Sequence, residues 1–399
     1  MFRTDLGKGS RRRGPNADSA VGPRSFETKP HRAAALLRAI AAVPIVVVFA
    51  VAGCATGRQV VGPEPEPLTW PPPPLSARVT FVRLLSDQDS LRSPKRNFAQ
   101  SVVDFFSGRQ PPLNHLYQPM GIEVSDDGQR VYIADFGQML VYLADLTTGS
   151  FAPLSRNFER PFGVALDDAG NLYVSEQDAR RITVLDPSQQ SIRVITDSSL
   201  IRPAGIAIDR SRGLLYVADA SKQNSTDHSV KVFDLSGRLL RTVGAGRGDC
   251  AGCLLFPTFV TVDKSGRVFV ANTLNGRVEV FDADGTYLRR LGERGNAFGM
   301  FDKPKGVALD TYGNVFVVDS GWSNVQIFNE SGEVLLFFGG RGTAPGLLSN
   351  PTGIAIDGQN RIYVADFLNS RVAVYDLLDA KPAEERQREA TDSAAGRSR

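Results

Sequence analysis

Gly306-Val307-Ala308-Leu309-Asp310, Tyr312-Gly313-Asn314 and Val315-Phe316-Val317-Val318-Asp319 together decide the fold of this 399-residue chain. The first run alternates as a half-buried strand does. Gly and Asn then supply a turn that tolerates positive φ, and the second run is a second strand. Gly321-Trp322-Ser323-Asn324 turns again before Val325-Gln326-Ile327-Phe328. Asn329-Glu330-Ser331-Gly332 leads into Val334-Leu335-Leu336-Phe337-Phe338-Gly339. This is a four-stranded antiparallel meander, which cannot bury both faces by itself.

Outward from it the pattern recurs. A Pro-x-Gly opens the first strand at Pro119, Pro161, Pro203, Pro304 and Pro351, and at Pro257 the third position is Phe259 instead of Gly. Fifteen or sixteen residues after each Pro stands an acidic or amide residue: Asp135, Glu176, Asp219, Asn272, Asp319 and Asp366. Three residues before each of those is one aromatic: Tyr132, Tyr173, Tyr216, Phe269, Phe316 and Tyr363. A period of 42 to 54 residues made of short strands predicts an all-β, six-bladed propeller of four-stranded antiparallel blades. The sixth blade stops near Asp376 with three strands. Arg78–Leu85 alternates like the fourth strand of the other blades, so the expectation is a ring closed by an N-terminal strand, with the propeller spanning 78–378.

The Pro351–Asp357 run, Ile362-Tyr363-Val364-Ala365-Asp366 and Asn369-Ser370-Arg371-Val372 resemble the NHL repeat family of six-bladed propellers, over about 260 residues in six copies. The resemblance implies a propeller that binds other molecules through loops at one end. Some such propellers are metal-dependent lyases built on several axial His. This chain has three His, one of them in the leader, so a His₃ site is not expected.

The ends read differently. Residues 1–53 carry nine Lys/Arg against three Asp/Glu, and Ala39–Ala52 is apolar but too short for a comfortable span. Val51-Ala52-Gly53-Cys54 resembles the lipobox of bacterial lipoproteins, in outline like bacterial lipoproteins of the NHL type. The resemblance implies a signal peptide over 1–53, cleavage before Cys54 and lipidation of its sulfur. A plain signal peptide or an uncleaved anchor is the competing reading. Ala55 after the Cys implies, by family habit, the outer membrane, with the protein in the cell envelope facing the periplasm. The Pro-rich stretch within 54–77 favours polyproline II and reads as a tether. Residues 379–399 hold almost nothing apolar and read as a disordered tail.

Charge narrows the partners. The chain nets +3, but residues 1–53 net +6, leaving −3 for the rest, with no electrostatic footprint for nucleic acid. No cofactor signature, Gly-x-Ser-x-Gly elbow or phosphate-cradling loop is present.

In a meander the 2→3 turns and the 4→1 connections lie at one end. Three departures from the repeat therefore share a face. Residues 86–118 form an insertion, with Ser93, Pro94 and Gly108 suited to a short helix and Phe98, Val102, Phe105 and Phe106 making one stripe. The third blade has a five-residue polar insert that includes His228. Cys250 and Cys253 align with Ala297 and Met300 and with Ala344 and Leu347, and should form a tight disulfide in an oxidising compartment. Asp135, Glu176, Asp219, Asn272, Asp319 and Asp366, with His228 and Phe259, mark the candidate binding face. Repetition of one residue type in every blade favours turn-holding for the six, against a calcium ring. The expectation is a lipid-anchored scaffold holding an envelope protein or glycan. The alternative is a metal-dependent hydrolase or lyase at the central channel.

Overall fold

The computed structural model describes residues 68–92, 114–222 and 224–378. Two strands come first, β1 (Thr69–Trp70) and β2 (Val79–Leu85), then a short helix, α1 (Gln88–Arg92). Blade 1 is β3 (Pro119–Val124), β4 (Arg130–Asp135), β5 (Leu140–Asp145) and β6 (Ser150–Pro153). Blade 2 is β7 (Pro161–Leu166), β8 (Leu172–Glu176), β9 (Arg181–Leu185) and β10 (Ser191–Thr196). Blade 3 is β11 (Pro203–Asp209), β12 (Leu214–Asp219), β13 (Ser229–Asp234) and β14 (Leu239–Val243). Blade 4 is β15 (Pro257–Val262), β16 (Val268–Asn272), β17 (Arg277–Phe281) and β18 (Tyr287–Leu291). Blade 5 is β19 (Pro304–Leu309), β20 (Val315–Asp319), β21 (Asn324–Phe328) and β22 (Val334–Gly339). Blade 6 is β23 (Pro351–Ile356), β24 (Arg361–Asp366) and β25 (Arg371–Leu377), completed from the N-terminal side.

The order in the closing sheet is β1-β2-β25-β24-β23. Strand β2 pairs antiparallel with β25, from Val79 opposite Leu377 to Leu85 opposite Val372. The ring is therefore shut by a strand far away in sequence, which removes a raw sheet edge. The folded part begins earlier than the sequence suggested. Strand β1, inside the stretch read as tether, makes this blade five-stranded. Its cause is Trp70, whose ring sits 6.1 Å from Phe338 and 5.8 Å from Tyr375, with Phe338 and Tyr375 4.8 Å apart. An indole with apolar rings to cover does not stay in a solvated spacer. The apolar stripe predicted from Phe98 to Phe106 lies outside the described residues, as do the leader with Cys54, the lipidation reading and the tail. What is described of the insertion is α1. Asp87 starts it by accepting the Ser90 N–H at 2.8 Å.

The repeated Pro-x-Gly explains how six blades meet. Each inner strand shifts register between its Pro and the residue three places on, a bulge that bends the strand. At the Gly position the neighbouring inner strands nearly touch. A Cβ on Gly121 would land on the Phe162 carbonyl oxygen, and one on Gly306 on that of Thr352. The repeated aromatics, Tyr132, Tyr173, Tyr216, Phe269, Phe316 and Tyr363, are buried in the cores that the blades make with their neighbours. Each such side chain is worth roughly 1.5–3 kcal/mol of burial.

The 1→2 and 3→4 turns are set by Asp and Asn. Asp263 accepts the N–H groups of Ser265 and Arg267 at 2.9 and 2.8 Å, and Asp310 those of Tyr312 and Asn314 at 2.9 and 2.8 Å. Such side chains mimic the backbone of a turn, and glycine follows where φ is positive, as at Gly266 and Gly313.

Candidate functional site

The six repeated acidic and amide residues stand where the 2→3 turn meets the incoming 4→1 connection. Asp319 accepts four backbone N–H groups: Asp302 at 2.7 Å, Lys303 at 3.0 Å, Gly321 at 2.8 Å and Trp322 at 3.2 Å. Asp135 does the same for Tyr117, Gln118, Gly137 and Gln138. Asp219 takes Ile201, Arg202 and Ser221. Asp366 and Asn272 each take one loop amide, from Ser349 and Leu255. Each residue thus ties the incoming connection to the 2→3 turn, beside a backbone bond such as that from the Ser320 N–H to the Lys303 carbonyl at 3.0 Å.

Blades 2, 4 and 6 add a guanidinium. Arg181 bonds Glu176 at 2.9 Å, and Arg371 bonds Asp366 at 2.7 Å. In blade 4 the repeat residue is the neutral Asn272, and Arg277 turns to Glu279 instead. The arginine thus finds a carboxylate in each case. Burial raises the carboxyl pKa of Asp219, Asp319 and Asp366, against the hydrogen bonds that pull it down. For Glu176 burial pushes upward too, but Arg181, Thr183 and the Glu159 amide outweigh it and hold the group below its ordinary value.

All six are buried, so the candidate binding face needs correction. Asp135, Glu176, Asp219, Asn272, Asp319 and Asp366 shape that face from beneath and do not present themselves to a ligand. A calcium ring does not fit them either, because their oxygens are already spent on loop amides and arginines. Among the described residues no three His, Cys, Asp or Glu are grouped to hold a metal ion. His228 is buried as well. Its Nδ1 accepts the Phe256 N–H at 3.3 Å, and its Nε2 has no partner among the described residues. Burial first, then Arg247, lowers its pKa, so it is neutral near pH 7.

Phe259 replaces the close-approach glycine of blade 4, and its ring lies over Gly205 and 5.3 Å from the Phe162 ring. With Met120 and Phe162 it belongs to one buried cluster at the loop-bearing end of the axis. Beside them Lys305 is held mostly out of water, and burial, then Lys303, brings its pKa down to about 8. The central channel is thus packed at this end. The Cys250–Cys253 sulfurs are bonded, with the Cα atoms 5.0 Å apart. Arg277 holds the loop beside it through the carbonyls of Asp249 and Cys250. Arg371 holds the sister loop through those of Thr343 and Ala344.

What the loop-bearing face does expose is uneven. Tyr117, Met139, Leu274, Trp322 and Leu368, on blades 4, 5, 6 and 1, are 43–61% exposed. Blades 2 and 3 expose charges there, among them the Arg160–Asp178 pair at 3.2 Å, Arg202 and Lys222, while on the other blades Arg294, Lys303 and Arg341 are exposed among the apolar residues.

Below the packed level the axis opens into a cavity of about 240 Å³. Its wall includes the residue four places after each inner-strand Pro: Glu123, Ala165, Ala207, Thr261, Ala308 and Ala355. One carboxylate stands in a ring of small side chains. Arg210, from the 1→2 turn of blade 3, reaches to blade 1, bonding both oxygens of Asp126 at 2.8 and 2.7 Å with Glu123 3.8 Å away. Glu123 keeps about 26% of its side chain exposed, yet protein surrounds it. Burial dominates, Arg210 and the Leu166 amide oppose it, and the pKa rises to about 7. Sequence reasoning missed this residue. Its signal was a single Glu in a column that otherwise reads Ala, Ala, Thr, Ala, Ala.

With fold and site in view, the comparisons agree with the repeat. The chain is a six-bladed β-propeller, and over part of its length it is similar to NHL-repeat proteins. A family profile described as "6-bladed beta-propeller" matches residues 303–394. The chain is 28% identical over 149 residues to "Protein brain tumor" of Drosophila melanogaster, covering 36% of this chain and 13% of that protein. It is 24% identical over 211 residues to "NHL repeat-containing protein 2" of Bos taurus, covering 41% of this chain and 28% of that one. The chain thus spans a minor part of these relatives' length. Among solved structures, a protein of unknown function from Bacteroides thetaiotaomicron superposes with a TM-score of 0.53 at 14% identity, over 66% of this chain and 70% of that one. That likeness concerns the fold.

Proposed function

We propose that this propeller is a lipid-anchored scaffold of the bacterial cell envelope, facing the periplasm, and that it holds a protein partner on the loop-bearing face. The observation that carries the reading is a broken crescent of exposed apolar side chains, Leu274, Trp322, Leu368, Met139 and Tyr117, with the exposed cations Arg294, Lys303 and Arg341 among them. Exposed aromatic and aliphatic side chains mixed with arginines suit a protein interface. A glycan would use the aromatic rings but gain little from Leu274, Met139 and Leu368, so a protein fits better. The buried carboxylates support this reading by fixing the loops, because a pre-organised face loses less entropy on binding. Cys54 supplies the anchor in this reading, and Ala55 directs it to the outer membrane.

The test is photocrosslinking in native membranes. A photoreactive residue at position 322 or 368 should yield one discrete protein adduct, and one at Tyr312, on the opposite face, should not. Adducts that fail to distinguish the two faces would sink the proposal. Cys54→Ala should move the protein from the membrane to the soluble fraction and abolish incorporation of labelled fatty acid.

A further inference from the structure

The cavity below the packed level has the features of a ligand site, and its chemistry is specific. Residues of apolar type line it, Ile122, Val164, Ile206, Val260, Val307 and Ile354 among them, but the surface presented to the cavity is mostly polar. A second cavity of about 480 Å³ at the 1→2 turns shares Asp126, Val262, Leu309 and Ile356 with it, so the shaft has a mouth on that face. Charges gather on one side of the junction. Glu123, Asp126 and Asp168 surround Arg210, at 3.8, 2.7 and 3.7 Å. Three carboxylates against one guanidinium leave an excess of two negative charges when all are ionised. The mouth adds Asp263, Asp310 and Asp357 against Lys264 and Arg267.

The arrangement selects by sign. Arg210 is not free for an anion: both Asp126 oxygens occupy one end, and its Nε donates to the Leu166 carbonyl at 3.1 Å. Glu123 has the Leu166 amide and, at 3.8 Å, a guanidinium with closer bonds elsewhere, so its carboxylate is only partly compensated. A buried charge in that condition gains most from a cation brought to it. A bare metal ion would lack ligands, since no group of three suitable side chains exists among the described residues.

We propose that the shaft binds a small organic cation, a protonated primary amine, that enters from the face of the 1→2 turns and sets its ammonium against Glu123. The site lies at the opposite end of the axis from the crescent and does not rest on the scaffold reading. Binding needs Glu123 ionised. Burial raises its pKa to about 7, so affinity for the amine should climb as pH rises from 6 to 8. Arg210, Asp126 and Asp168 are the charged groups facing it.

The experiment is calorimetric titration of the full chain in mild detergent, against detergent blanks, with n-butylammonium and n-hexylammonium, and with n-hexanol and hexanoate for comparison. At pH 8 the ammonium ions should bind saturably and at least about tenfold more tightly than the alcohol or the acid, a usual margin for a charge-assisted contact. Glu123→Gln should lose at least about tenfold for the ammonium ions alone and abolish the pH dependence. Ala207→Phe, which fills the shaft, should remove binding of every probe, with thermal melts confirming that both variants fold. Equal affinity for hexanol and hexylammonium, a Glu123→Gln variant with wild-type affinity, or no saturable binding of either ammonium ion would each overturn the proposal.

Discussion

The two ends of the central axis are built from the same six strands and have opposite characters. At the loop-bearing end, glycine lets neighbouring strands touch, and Met120, Phe162 and Phe259 fill what remains. At the other end the strands splay, small side chains leave a cavity, and Glu123 with Arg210 sits in it. The difference teaches that in a ring of repeats the closed end carries stability and the open end is where a side chain can depart from the pattern. Carboxylates serve both ends, and their partners decide what they do. Asp319 has four backbone amides, whereas Glu123 has one amide, from Leu166, and an arginine that it shares.

The largest test of this contrast is at the closed end. Gly306→Val would drive a branched side chain into the Thr352 carbonyl of the next blade. A loss above about 4 kcal/mol, or failure to fold, is expected, and a denaturant melt within about 1 kcal/mol of wild type would show that the ring does not depend on this contact. Next comes Asp319→Ala, which leaves four N–H groups without their acceptor. It should cost about 2–4 kcal/mol in the same melt, with Asp319→Asn recovering part of the loss.

The open end should behave in the opposite sense. Glu123 has its folded-state pKa raised, so the folded form holds a proton that the unfolded chain loses above its ordinary value. Stability is therefore lost as pH climbs from about 4.5 through 7. Glu123→Gln should leave thermal stability unchanged near pH 4 and raise it at pH 8, by at most about 3 kcal/mol at roughly 1.4 kcal/mol per pKa unit. A variant no more stable than wild type at pH 8 would mean that Glu123 is solvated. The smallest effect is at the rim. Cys253→Ser opens a very short loop and should cost about 2 kcal/mol, read by comparing oxidised and reduced melts with the variant.

Much of this was legible in the sequence because it repeats. Val315-Phe316-Val317 buries its side chains, and Asp310 turns the chain before it, whatever the blade's neighbours are. The turn-holding role of Asp319 could be read from its recurrence in every blade. Its burial could not, and for that reason the six repeated residues looked like a surface. Trp70 was hidden by its setting, since Pro71–Pro74 reads as a spacer until Phe338 and Tyr375 are placed beside it.

By itself the sequence determined the strands of the six repeats, the turns between them and the strand that closes the ring, because period-two alternation and Asp, Asn and Gly at turns act over a few residues. Only the tertiary structure decided which end of the axis is packed and which is hollow. It alone brought Arg210 to Asp126 across 84 residues of chain, placing both beside Glu123. Convergence on an axis is a property of six blades at once, and no local pattern encodes how much room is left where they meet.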